Sequence, residues 1–302
     1  MTHRDGRCVA VTGGTGFVGL ALMNALLARG YVVRCISRNP QSADLPRGVL
    51  TAGWDELEGT LEGAEALVHL AGAQAVGRRY TASYKKLILD SRVETTKRLV
   101  AAMSRLERRP RTFVCASAVG YYGSRPFGRP CDEDAKAGDD FLARVCVQWE
   151  QAARSAEPLG VRVVHARIGV VLGDGGPLQV MALPYRCFVG GPIAGGDQAV
   201  SWIDRRDAAR ALTHCLESEG LRGPVNIVAP EATTNDTLGR LIARTLHRPH
   251  LLPVPKWALK LLFGEGAEAI AEGQHVAPQR LLSSGFSFDH AELEQVLSDH
   301  LG

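Results

Sequence analysis

Hydrophobic positions along the chain change period several times, and each change marks an element. The apolar run Val9-Ala10-Val11 breaks at Thr12-Gly13-Gly14-Thr15-Gly16-Phe17-Val18-Gly19, after which Leu20, Leu22, Met23, Leu26 and Leu27 recur at helical spacing. Tyr31 to Ile36 reads as a second strand, so the start is a strand, a tight turn, a helix and a strand. Further apolar runs at 49–52, 66–73, 111–116 and 161–169 predict four more strands, and periodic stretches at 80–105 and 141–156 predict helices between them. The alternation describes a doubly wound α/β sheet with right-handed crossovers. Beyond Gly173 it fails: glycine- and proline-rich joints at 173–177 and 190–196 predict a smaller second lobe over 174–302, after a main domain over 1–173. Ser201 to Asp204 reads as a short extended piece and Val225 to Val228 as a strand, and parts of 201–230 are expected to complete the sheet. Helices are expected at 206–217, 235–246, 257–263 and 290–301.

Chemistry enters at the first turn. Closely spaced glycines between a strand and a helix let a pyrophosphate approach the helix N-terminus, where backbone amides bind it. Gly13, Gly14, Thr15, Gly16, Phe17, Val18 and Gly19 are therefore candidate cofactor residues. After the second strand come Ser37 and Arg38, with no Asp or Glu between Tyr31 and Ala43. A carboxylate there would accept from a ribose 2′-hydroxyl, whereas an arginine favours a 2′-phosphate, which points to NADP(H). Trp54 either stacks beside the adenine or packs under a loop. Leu70, Ala71 and Gly72 end a strand at the ligand-binding edge, and their small size admits a cofactor close to the backbone. Ser117 ends the next strand, with Tyr121 and Tyr122 just beyond, where hydroxyls face a nicotinamide and a substrate.

Composition narrows the classes. Among 302 residues, 35 basic and 32 acidic side chains give a formal charge of +3 without a long basic run, so nucleic acid is not implied. No apolar segment precedes the first strand, and no run reaches the roughly 18 residues of a membrane span. A soluble cytoplasmic protein is expected. Seven cysteines form no CxxC pair, which fits a reducing compartment and leaves no metal site expected.

With these residues in view, the chain resembles the extended short-chain dehydrogenase/reductase superfamily of Rossmann-type proteins, over nearly its whole length. It is similar in particular to an atypical epimerase-like, or cell-division-inhibitor-like, branch. The marks are Gly120-Tyr121-Tyr122-Gly123, Trp149-Glu150, Gly169 to Gly173, Gly190-Gly191-Pro192, Ser201-Trp202-Ile203, and a C-terminal module with Pro253-Val254-Pro255, Gly273-Gln274 and Gly285-Phe286. The resemblance implies pyrophosphate at Gly13 to Gly19, Leu70-Ala71-Gly72 under the cofactor, Ser117 as the active-site hydroxyl, and Arg167-Ile168-Gly169 at the nicotinamide end. It also implies a carbonyl or nucleotide-sugar substrate and a homodimer pairing through 80–105 and 141–156. The superfamily's Tyr-x-x-x-Lys pair is absent: no tyrosine has lysine four residues on, and the family spacing sets Leu142 and Cys146 there. Cys146 is then either a packing residue or a thiol near the nicotinamide. Asp204 stands where relatives often carry histidine. Two activities follow: an NADP(H)-dependent oxidoreductase or epimerase with a rearranged proton donor, or a non-catalytic NADP(H)-occupied scaffold or sensor.

Overall fold

The computed structural model describes residues 7–42 and 44–302; Met1 to Gly6, read above as free of an apolar leader, and Ala43 lie outside them. The chain alternates through β1 (Cys8–Thr12), α1 (Phe17–Ala28), β2 (Val32–Ile36), β3 (Leu50–Ala52), α2 (Leu57–Leu61), β4 (Ala66–His69) and α3 (Ala82–Ser104). It continues through β5 (Thr112–Ala118), α4 (Phe141–Arg154), β6 (Arg162–Ile168) and β7 (Val170–Leu172). Then come α5 (Gly176–Arg186), β8 (Ala199–Val200), β9 (Trp202–Asp204), α6 (Arg205–Glu217), β10 (Gly223–Ile227), β11 (Thr233–Thr234) and α7 (Asn235–Thr245). Four short helices finish it: α8 (Lys256–Phe263), α9 (Glu268–Ala271), α10 (Gln279–Ser283) and α11 (Leu293–Leu301).

Seven strands form one parallel sheet in the order β10-β6-β5-β4-β1-β2-β3. The Rossmann-type doubly wound expectation holds, and the order reverses between β1 and β4, opening a crevice at their C-terminal ends. Successive strand residues face opposite layers. Val9, Val11 and Val33 pack with Leu22, Met23 and Leu26 of α1 and Leu212 of α6, while Ala10, Leu67 and Phe113 pack with Leu99 and Met103 of α3 and Trp149 of α4.

One expectation about the second lobe needs correction. The stretch after Gly173, read as a glycine-proline joint, contains α5: Pro177 sits in its first turn, where a missing N–H costs nothing. β10, from within 201–230, forms one edge of the sheet, while β9 pairs with β7 in a separate two-stranded sheet. The lobe has its own core, in which Leu178 and Tyr185 of α5 meet Trp202, Leu238, Ile242 and Leu297.

Candidate cofactor and active site

Helix starts differ in a way that matters at the crevice. Thr81, Asp140, Asp204 and Thr234 cap α3, α4, α6 and α7 with side-chain oxygens. Gly16 at the start of α1 offers none, and the first turn carries no acid. The leading amides and the positive end of the helix dipole are thus left for an anion. Close approach explains the other glycines. Gly13 has φ of +72°, and a Cβ there would lie 2.7 Å from Ala71 N, so the turn and the Leu70-Ala71-Gly72 segment touch through backbone. A Cβ on Gly19 would sit 2.3 Å from Gly13 O, and one on Gly14 2.6 Å from Cys35 Sγ. Thr15 and Gly16 are exposed, Val18 packs on the core, and the Phe17 ring lies 4.9 Å from the Arg205 guanidinium and against Gly176, joining the two lobes. This cradle fits a pyrophosphate.

At the exit of β2, Ser37 Oγ accepts from Asn39 N–H at 3.2 Å, while the exposed Arg38 side chain has no hydrogen-bond or ion-pair partner among the described residues. Trp54 packs beside the core under α2, its carbonyl accepting from Arg98 at 2.6 Å and its ring 5.7 Å below that guanidinium.

The structure joins residues at the ends of β5 and β6 that the sequence presented separately. Ser117 Oγ donates to Glu150 Oε1 at 2.8 Å, and Arg167 grips the same carboxylate with Nε and Nη2 at 2.8 and 2.9 Å. Arg167 Nη1 donates to the Tyr122 hydroxyl at 2.9 Å, which donates to Asn226 Oδ1 of β10 at 2.7 Å. Asn226 N–H and Arg280 N–H both reach Glu133 Oε1, so the network bolts the C-terminal module to the sheet. Burial alone would lower the Arg167 pKa, but the bonds and charge of Glu150 outweigh it and raise it.

Burial and hydrogen bonding bear on two of the expected site residues. Tyr122, expected either to donate a proton or to form part of a substrate-facing wall, is fully buried, its phenol pushed up to about 12 by desolvation and its ring packed with Val119, Val228 and Val276. Arg167, expected at the nicotinamide end, is buried, with its guanidinium engaged by Glu150 and Tyr122. Gly169 is needed for packing, since a Cβ would lie 2.5 Å from Ser201 O, and Ile168 is half-buried beside it. Tyr121 remains available: it is half-buried under Arg167, whose Cζ is 3.4 Å from its ring centre, and its hydroxyl has no partner among the described residues. On α4, Leu142, Cys146 and Glu150 share one face through their four-residue spacing. Cys146 is buried beside Ser117 and Ala118, and desolvation lifts its thiol to about 11, so it stays protonated.

Asp204 has a structural role. It caps α6, accepts from Arg206 at 2.9 Å and bonds His300 of α11 at 3.0 Å. Burial opposes its charge, but these hydrogen bonds prevail and hold the carboxyl below its ordinary value.

Residues 9–228 match the NAD dependent epimerase/dehydratase family, and residues 254–300 match a domain of unknown function (DUF1731). The chain belongs to the epimerase/dehydratase family. Among curated relatives of this family, the epimerase family protein YfhF of Bacillus subtilis is 36% identical over 293 residues, covering 96% of each chain. The human epimerase family protein SDR39U1 is 38% identical, covering 96% of this chain and 98% of its own. A crystal structure of the human protein with NADPH superposes with a TM-score of 0.86 at 37% identity over 97% of this chain and 98% of that one. A UDP-glucose 4-epimerase from Thermotoga maritima superposes with a TM-score of 0.80 at 18% identity over 96% of each chain, which shows the shared fold. Among the described residues no helix is long and apolar enough to cross a membrane.

Sequence reasoning treated Glu150 as a family mark and passed over Glu133 and Asn226. A signal was present: an arginine inside a strand and a glutamate on the apolar face of a helix are each costly alone and imply one another.

Proposed function

We propose that this chain is an NADP(H)-binding oxidoreductase or epimerase that acts on a carbonyl compound or nucleotide sugar without the Tyr-x-x-x-Lys pair. The observation that carries the reading is the uncapped start of α1 facing a backbone-to-backbone contact between Gly13 and Ala71 at the crevice. NADPH, when bound, supplies a hydride. Gly13 to Gly19 hold its pyrophosphate, the free guanidinium of Arg38 takes the 2′-phosphate, and Leu70-Ala71-Gly72 line its path. At the substrate end Ser117 orients a carbonyl once its single proton turns from Glu150 to the substrate oxygen, and Tyr121, whose hydroxyl has no partner among the described residues, delivers the proton. Ser117 is held in place by Glu150.

Arg38→Ala is expected to weaken NADPH binding by at least tenfold while leaving NADH unchanged, read by thermal shift with each nucleotide. Charge-assisted hydrogen bonds of about 1.5–3 kcal/mol set that scale. For the chemistry, NADPH consumption is followed with a panel of aldehydes, ketones and nucleotide sugars. Ser117→Ala and Tyr121→Phe should each lower turnover by on the order of 10²-fold; full turnover in both would remove these residues from the reaction. The second reading, a non-catalytic NADP(H)-occupied sensor, is favoured by the engagement of Ser117 with Glu150 and of Tyr122 with Asn226. It predicts tight NADPH binding with no consumption by any compound of the panel.

A further inference from the structure

Helix α3 passes behind the exits of β4 and β5, and polar residues interrupt its apolar face there. Three have partners that account for them. Ser91 Oγ accepts from Ala73 N–H at 2.9 Å, fixing the segment after β4. Thr95 Oγ1 lies 3.4 Å from His69 Nε2, and Thr96 Oγ1 accepts from the Trp149 indole at 3.0 Å.

Arg92 is different. Its side chain makes one hydrogen bond among the described residues, from Nη1 to Ile88 O one turn back in its own helix, at 3.1 Å. No carboxylate pairs with it among the described residues. The titratable groups around it are His69 of β4, Tyr80, Tyr84 and Cys146 of α4, none of them an acid that would be charged at neutral pH. The guanidinium carbon stands 5.1 Å from the Trp149 ring centre, and a Cβ on Gly72 would come within 3.1 Å of it. The cation is thus held against the backbone just beyond β4, on the side of Cys146, where α4 carries a neutral thiol. Desolvation lowers the Arg92 pKa, yet an arginine side chain keeps its charge in a protein. Arg92 is half-buried, and none of its nitrogens is sealed from solvent without a partner. Its geometry satisfies no internal group except a helix carbonyl, and its other donors are free for a ligand.

We propose that Arg92 supplies, from α3, the positive charge that α4 lacks, and that it binds an oxygen of NADP(H) where the cofactor crosses the ends of β4 and β5 toward Ser117. The inference rests on the NADP(H) reading above. A planar guanidinium backed by Trp149 offers two parallel donors to a phosphate or a ribose diol, which a lysine at the same place would offer only as a point charge.

The test titrates cofactor-free wild type, Arg92→Met and Arg92→Lys with NADPH, and separately with an adenosine bisphosphate carrying the 2′-phosphate but no nicotinamide half. Binding is read from tryptophan quenching and folding from the melting temperature of the unliganded proteins. Arg92→Met should bind NADPH about 10- to 100-fold more weakly, the loss of one or more charge-assisted bonds. Arg92→Lys should recover part of the affinity. Both should bind the adenosine compound like wild type and melt no lower than it, since no internal ion pair is broken. NADPH affinity in Arg92→Met within twofold of a wild type that does bind overturns the role of Arg92 alone. Equal loss in both variants with lowered melting makes the side chain a packing element and also overturns it. A wild type that binds no NADPH overturns this inference together with the reading beneath it.

Discussion

Glu150→Ala will cost about 3–5 kcal/mol of folding free energy, because it strands the Arg167 guanidinium in a dry interior. Both side chains are at most 5% exposed, and the glutamate also receives Ser117. Removing one partner of such a pair leaves an uncompensated charge, whereas removing both leaves only a packing problem. Glu150→Leu combined with Arg167→Met is therefore expected to recover most of the loss, as urea unfolding of the single and double variants would show. If Glu150→Ala unfolds within about 1 kcal/mol of wild type, the network does not hold the site together. The prediction also bears on chemistry. Ser117 loses its acceptor in Glu150→Ala and is free to rotate, so any turnover should fall further than stability alone explains. Glu150→Gln keeps an oxygen for Ser117 and should fall less.

Acid will destabilise the protein well above the range in which carboxylates titrate. His69 and His165 are fully buried. Desolvation, helped by the Arg92 charge, drives the His69 imidazole down to about 3. Desolvation also takes His165 to about 4; Glu150 facing it opposes this, while Arg154 and Arg167 add to it. Both stay neutral in the folded chain while the unfolded chain takes up their protons below pH about 6.5. Stability is then fully present above that pH and declines as pH falls toward the folded values. Well below pH 6.5 each histidine contributes up to about 1.4 kcal/mol per pH unit, which amounts to roughly 3 kcal/mol for the pair between pH 6.5 and 5. Desolvation also holds His214 and His275 below their ordinary value, and they act in the same direction. Glu133, raised by burial, acts oppositely at lower pH. His165 is the cleaner test because neither ring nitrogen has a hydrogen-bond partner. His165→Leu should unfold no more easily than wild type at pH 7 and lose about half of the acid slope in urea midpoints measured from pH 7 to 5. An unchanged slope would mean that His165 is not held neutral.

The Rossmann-type sheet was legible because its parts are local. Continuous apolar runs such as Val9 to Val11, long periodic stretches such as those that became α3 and α4, and the glycine turn between them each declare themselves within a few residues. The second lobe was less legible for the same reason. Helix α5 begins at glycine and proline and contains Pro184, so its pattern reads as a joint until Leu178, Ala182 and Tyr185 are seen against the lobe core. Helices α2 and α10 are five residues each, too short for any period to emerge.

The site divides along that line too. The features on which the cofactor reading rests, glycine spacing, an absent acid and Arg38, are properties of contiguous residues and so lie in chain order. Those at the chemical end do not. Ser117, Tyr122, Glu133, Glu150, Arg167 and Asn226 come from five parts of the chain, and only folding reveals that one carboxylate accepts both the serine and the arginine. Likewise Arg92 was one polar residue among several on a long helix until its neighbours proved to include no acid. By itself the sequence determined a parallel α/β sheet and a glycine-rich turn between its first strand and helix, both written in local spacing. Only the tertiary structure decided which polar side chains pair in the interior and which are left for a ligand, because the cost of burying a charge depends on what the fold brings beside it.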